Sequence, residues 1–95
     1  MSAYMIVFLE SVTDPAELAE YRRIGLPTLD ASKAKFLVRN GRFEMLEGSA
    51  PQGVLVLEFP TMADAKQWYG SPRYQEALQH RNAGARCRAL FVEGV

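Results

Sequence analysis

Residues Val54–Arg81, VLVLEFPTMADAKQWYGSPRYQEALQHR, decide how this chain reads. Val54–Phe59 is a run of β-branched and leucine side chains ending at Pro60, the pattern of a strand buried on both faces. Thr61 then offers an N-cap, with Asp64 three residues on as its capping-box partner. A helical segment follows, carrying Ala65, Trp68 and Tyr69 at i, i+3 and i+4. Gly70 interrupts it. Ser71-Pro72 restarts it with a second N-cap and a proline at the first helical position. From there Tyr74, Ala77, Leu78 and Arg81 share one face. The unit is a strand, a broken helix and an aromatic cluster at the break.

Working outward from this unit, Asn82–Arg86 reads as a glycine-containing loop before a last strand at Arg88–Glu93. Near the other end, Tyr4–Leu9 is a continuous apolar run and hence a central strand. Asp14 caps the helix after it, with Pro15 at N1 and Glu17 at N3. Leu18, Tyr21 and Ile24 or Gly25 form that helix's apolar stripe. Gly25-Leu26-Pro27 predicts a kink or break before a last turn through Leu29. Lys35–Arg39 is the second strand. Asn40-Gly41 signals a type I′ hairpin, which makes Arg42–Glu47 a short answering strand before a loop from Gly48 to Gly53.

The order is βαββαβ, an α+β ferredoxin-like arrangement with an antiparallel sheet and both helices on one face. Its strands are apolar on both sides. Tyr4, Ile6 and Phe8 point one way, while Met5, Val7 and Leu9 point the other. Val54 and Val56 oppose Leu55, Leu57 and Phe59 in the same manner, and Ala89 and Phe91 oppose Leu90 and Val92. Two helices cover only one side. Leaving the other wet costs many kcal/mol at roughly 25 cal/mol per Å² of apolar area. A second copy packed sheet to sheet about a two-fold axis is the economical cover. The sequence therefore predicts a homodimer through the open sheet face.

This pattern resembles the domain-of-unknown-function 1330 family, within the dimeric α/β-barrel superfamily. The resemblance spans nearly the whole chain. It is carried by Phe36-Leu37-Val38-Arg39 with Gly41, by Leu46-Glu47-Gly48 and by Glu58-Phe59-Pro60. Trp68-Tyr69, Ser71-Pro72, Tyr74, Arg81 and Val92-Glu93-Gly94 complete it. The chain departs from the pattern at Ser32-Lys33-Ala34, where such proteins tend to carry glycines. The resemblance implies a ferredoxin-like fold and a dimer, and it implies no assigned chemistry. Related barrel groups include cofactor-independent monooxygenases, isomerases and haem-degrading proteins, an analogy of fold alone.

Ninety-five residues, 48% of them hydrophobic and 23% charged, fit one folded domain. Eleven basic residues balance eleven acidic ones, which argues against a nucleic-acid partner, since such domains carry a basic surplus. The sheet face is aliphatic, and the RNA-binding signature of exposed stacking aromatics is absent. Cys87 is alone, so no disulfide framework or CxxC motif exists. The first residues show no basic n-region followed by an apolar h-region, no apolar run reaches membrane-spanning length, and a cytoplasmic setting is expected. Gly41, Gly48 and Gly53 lack the spacing of a phosphate loop. No cofactor or metal motif appears.

Each candidate for chemistry has a plainer reading beside it. Arg39, at a strand end, can clamp a carboxylate or planar anion, but an ion pair to Glu10, Glu44 or Glu47 is the simpler expectation. Glu47 can serve as a base or cap a loop. Glu58 interrupts an apolar strand, as a general base or ligand anchor in a cleft, or else paired at the strand's solvent end with Arg81 or Lys66. Trp68, Tyr69 and Tyr74, with Tyr21 on the first helix, can wall an aromatic pocket, whereas aromatics at this spacing more often fill a core. Ser71 precedes proline outside any nucleophile elbow and is a helix cap. His80 falls off the apolar face and is expected in solvent. Cys87 is a small buried hydrophobe.

Two classes of function remain. In one, a small enzyme binds a partly apolar organic molecule, with Arg39 and Glu58 as anchors and tyrosine hydroxyls orienting it. Turnover would then be cofactor-independent proton transfer, isomerisation or oxygenation. In the other, the chain is a non-catalytic dimeric binding or structural module whose charges are paired and whose cleft is filled by side chains.

Overall fold

The structure is a computed structural model and describes Met1–Val95. Its elements run β1 (Ala3–Val12), α1 (Pro15–Asp30), β2 (Lys35–Arg39), β3 (Gly53–Phe59), α2 (Met62–Tyr69), α3 (Pro72–Gly84) and β4 (Ala85–Glu93). The four strands form one antiparallel sheet in the order β2-β3-β1-β4. This is the ferredoxin-like α+β arrangement, with the second helix split in two. No helix is long and apolar enough to cross a membrane.

Local chemistry explains where each helix starts. Asp14 accepts hydrogen bonds from the Ala16 and Glu17 amides, with Pro15 inside the first turn. Thr61 accepts from the Asp64 amide, and its hydroxyl donates to the Asp64 carboxylate at 3.0 Å. Such caps are each worth about 1 kcal/mol. Ser71 holds the cap position of α3 without making a cap hydrogen bond. Its hydroxyl instead donates to the Trp68 carbonyl at 2.7 Å. It ties off the end of α2 rather than opening α3.

The helices cover one side of the sheet. Met5, Leu57 and Phe59 meet Ala65, Trp68, Tyr74 and Leu78 in the buried cluster, with Val7, Leu55, Phe36, Tyr21 and Phe91 packed around it. The alternate residues of β1, β3 and β4 face the other way, where nothing covers them. There Leu90 and Val92 are 48% and 42% exposed. Only 17 of 95 residues are buried, as befits a plate of 32 × 31 × 16 Å rather than a sphere.

Four local expectations are corrected. First, α1 runs unbroken through Pro27, and the Thr28 hydroxyl donates to the Gly25 carbonyl at 2.5 Å. One missing N–H is outweighed by burial of Leu18, Ile24 and Gly25 along the same helix. Second, Arg42–Glu47 forms no strand. Asn40 takes a left-handed φ of 54°, while Gly41 does not, so the type I′ turn is not made. The Asn40 amide bonds directly to the Val54 carbonyl, which ties the turn residue to β3, and the outer edge of β2 stays without a strand partner. Third, Asn82–Arg86 is no loop: α3 ends at Gly84 and β4 begins at Ala85. Fourth, His80 is half-buried rather than in solvent, with Nδ1 2.7 Å from the Glu17 carboxylate, joining α3 to α1.

Candidate functional site

A cavity of about 110 Å³ lies between the helical layer and the sheet, walled mainly by apolar side chains. Met5, Val7, Leu55 and Leu57 rise from β1 and β3, while Leu18 and Leu29 come down from α1. The pleat puts alternate strand residues on this face, and the 3.6-residue period aligns the α1 stripe above it. A larger, more open hollow of about 530 Å³ between α1 and α2 is lined mostly by polar residues and holds the Lys33–Asp64 pair at 3.9 Å. A mostly apolar hollow with a few placed polar groups better fits a small-molecule site, so the cavity on the sheet is the candidate.

Its inner end is aromatic. Trp68 and Tyr74 stack with centroids 4.1 Å apart, and Tyr21 meets Tyr74 edge-on at 6.1 Å. The Tyr21 and Tyr74 hydroxyls are 2.9 Å apart and share a hydrogen bond. Trp68 donates its indole N–H to the Thr28 hydroxyl at 3.0 Å, which fixes the ring between α1 and α2. Burial drives the Tyr74 phenol well above its ordinary pKa, with Tyr21 adding to the shift and the Arg81 cation opposing it. Tyr74 is therefore neutral at any working pH and available only as a hydrogen-bonding group.

Beside these hydroxyls lies Arg81, 7% exposed. Its Cζ is 5.7 Å from the centre of the Tyr21 ring. Its Nε is buried with no hydrogen-bond partner, and none of the five ion pairs in the structure includes it. Burial lowers its pKa, but the neighbouring Tyr74, Tyr21 and Cys87 outweigh this and the net shift is upward. The guanidinium stays charged. Cys87 borders the same space with its thiol pushed up by burial, an inert rather than a nucleophilic setting.

Of the residues singled out from sequence, Tyr21, Trp68, Tyr74 and Arg39 all line this cavity, while Tyr69 and Glu58 do not. Arg39 follows an irregularity in the β2–β3 pairing that turns it to the cavity face opposite Leu55. It is exposed at the mouth, with its guanidinium 4.8 Å above the Phe36 ring. It forms no ion pair with Glu10, Glu44 or Glu47, and Glu10 pairs with Arg88 instead. Glu58 lies on the opposite face of the sheet, in register with Tyr4 and Lys35, and pairs with neither Arg81 nor Lys66. Tyr69 sits beyond Trp68, edge-on to Phe91 at 5.7 Å. The residue missed from sequence is Arg81. The signal is a cation on the apolar face with Tyr74, Ala77 and Leu78, which the sequence reading takes as a member of that face and a possible partner of Glu58, not as a cavity residue. No three His, Cys, Asp or Glu side chains converge as a metal site would require.

Fold and cavity together define a small ferredoxin-like α+β domain with an aromatic-ended hollow under its helices. The chain belongs to the domain-of-unknown-function family DUF1330, which it matches over residues 2–95. Among solved structures, it is similar to a protein of unknown function from Rhodopseudomonas palustris, at 23% identity and TM-score 0.79, covering 99% of this chain and 82% of that one. A dimeric ferredoxin-like protein of unknown function from Jannaschia matches at 14% identity and TM-score 0.70, covering 99% and 100%. SnoaB, a cofactor-independent oxygenase from Streptomyces nogalater, matches at 12% identity and TM-score 0.59, covering 99% and 92%. No curated protein is significantly similar.

Proposed function

We propose that the protein is a homodimeric receptor for a small, partly apolar organic molecule, held between helices and sheet. The observation that carries this is the cavity itself: apolar walls, an aromatic end and two tyrosine hydroxyls between helices and sheet. Dimeric neighbours of the same fold support the assembly, as does the bare apolar sheet face. The surface of one copy is 6196 Å², roughly 700 Å² more than the roughly 5,500 Å² expected of a compact monomer of this mass. That excess is close to the roughly 800 Å² each partner contributes to a standard interface.

For turnover, cofactor-independent oxygenation of an activated ligand fits better than isomerisation. No carboxylate or imidazole lines the cavity to shuttle a proton between carbons, and a neighbour of the same fold is an oxygenase of that kind. A non-catalytic binding module is the alternative. Oxygen uptake on addition of a bound, electron-rich ligand separates the two.

The test of binding is native mass spectrometry of the gently purified protein. A co-purifying small molecule is expected on the wild type and absent from Val7→Phe, whose ring occupies the cavity. Retention of the same molecule by the filled variant would reject this site.

A further inference from the structure

Three arginines, Arg22, Arg39 and Arg81, border the cavity, and no acidic side chain does. Arg22 and Arg39 are exposed and lose little by being unpaired. Arg81 is different. A guanidinium 7% exposed, with an orphaned Nε and no carboxylate, is costly in an apolar setting. Nearly all such groups in folded proteins find a partner. The side chains that act on it are Tyr74, Tyr21, whose hydroxyl lies within reach of its guanidinium, and Cys87, and no carboxylate is among them.

We propose that the cavity is an organic-anion site, in which Arg81 binds the carboxylate of a compact aromatic acid while the ring lies among Val7, Leu55 and Trp68. This rests on the receptor reading above and gives its ligand a chemical class. The planar guanidinium matches a carboxylate's two oxygens. The shared proton between Tyr21 and Tyr74 leaves one hydroxyl free to donate to the anion, because either oxygen can act as donor. The space of about 110 Å³ approaches the roughly 150 Å³ that takes a benzene ring in other proteins, and the mouth leaves room for ring substituents. Arg22 and Arg39 at the rim add a positive entrance that draws anions inward. The orphaned cation is the second half of an ion pair that the ligand completes.

The experiment uses the intact wild-type chain with benzoate, benzamide and benzylamine as probes, titrated calorimetrically. Trp68, the only tryptophan, lines the cavity, and its fluorescence reports where the probe sits. Benzoate is expected to bind at least about tenfold more tightly than benzamide, because only it carries the countercharge, and benzylamine is expected not to bind. In Arg81→Met the preference for benzoate falls to about one, while the melting temperature holds or rises as a buried unpaired charge is removed. Should Arg81→Met fail to fold, Arg81→Lys keeps the charge and weakens the preference without inverting it, and the wild-type ratio stands as the test. Equal binding of benzoate and benzamide would overturn the anion site and leave the receptor reading intact. No saturable benzoate binding would also overturn it, whereas a co-purifying neutral molecule would still uphold the receptor.

Discussion

Tyr74 concentrates much of what this chain does at the level of a single side chain. It is 1% exposed, stacks on Trp68, and presents its hydroxyl to Tyr21 at the inner end of the cavity. Its folded pKa is raised, first by burial, above the unfolded value near 10. The stability it contributes is present in full below that unfolded value. It is lost as pH climbs from there toward the folded value, at up to roughly 1.4 kcal/mol per pH unit. Urea denaturation between pH 8 and 11 is expected to show the wild type losing stability above pH 10. Tyr74→Phe starts about 1 kcal/mol lower for want of its hydrogen bond but declines less steeply. Parallel slopes would mean that the phenol ionises as freely folded as unfolded.

Between elements, the contact that holds the helical layer together is backbone against backbone. The Gly84 carbonyl accepts from the Thr13 and Asp14 amides at 2.9 and 3.0 Å, so the end of α3 satisfies the start of α1. A Cβ at Gly84 would stand 2.7 Å from the Asp14 carbonyl oxygen and 2.9 Å from the Leu18 amide. Gly84→Ala is therefore expected to push α3 off α1 and cost about 1–3 kcal/mol, measured as a lower denaturation midpoint. A neutral result would show that the helices have room to part. Nothing local in Asn82–Arg86 announces this contact, which is why the stretch read as a loop. The partner of Gly84 lies some seventy residues away, and sequence spacing cannot show it. The caps at Asp14 and Thr61 were legible because each residue and its partner sit within one turn. The Asn40-Gly41 hairpin failed for the reverse reason: a local signal was overruled by a distant partner, the Val54 carbonyl that takes the Asn40 amide. Among the candidates, Tyr21, Trp68, Tyr74 and Arg39 border the cavity, a placement that face and position along their elements make legible. Glu58 lies on the other face, where strand parity with Val54 and Val56 puts it, although its charge draws it into the cleft as one option.

On the scale of the whole molecule, the bare side of the sheet is the feature to explain. Two-sided apolar strands were readable from sequence, and the structure places helices on one side alone. Ile6 lies at the middle of that bare side, in register with Val56 and Leu90. In Ile6→Glu a buried carboxylate would face its symmetry mate, and the proposed dimer is expected to dissociate. Sedimentation equilibrium at micromolar concentration checks this, with twice the chain mass for wild type and once for the variant. A wild type that sediments as one chain would remove the reason for a sheet-to-sheet seam.

The sheet also acts as a partition. The cavity and the proposed seam lie on its opposite sides, with the full backbone of β1 and β3 between them and no side chain shared. In the proposed dimer each copy is then expected to fill its hollow without notice of the other, so that titration follows a simple hyperbola and a chain prised from its twin keeps its grip on the same guest.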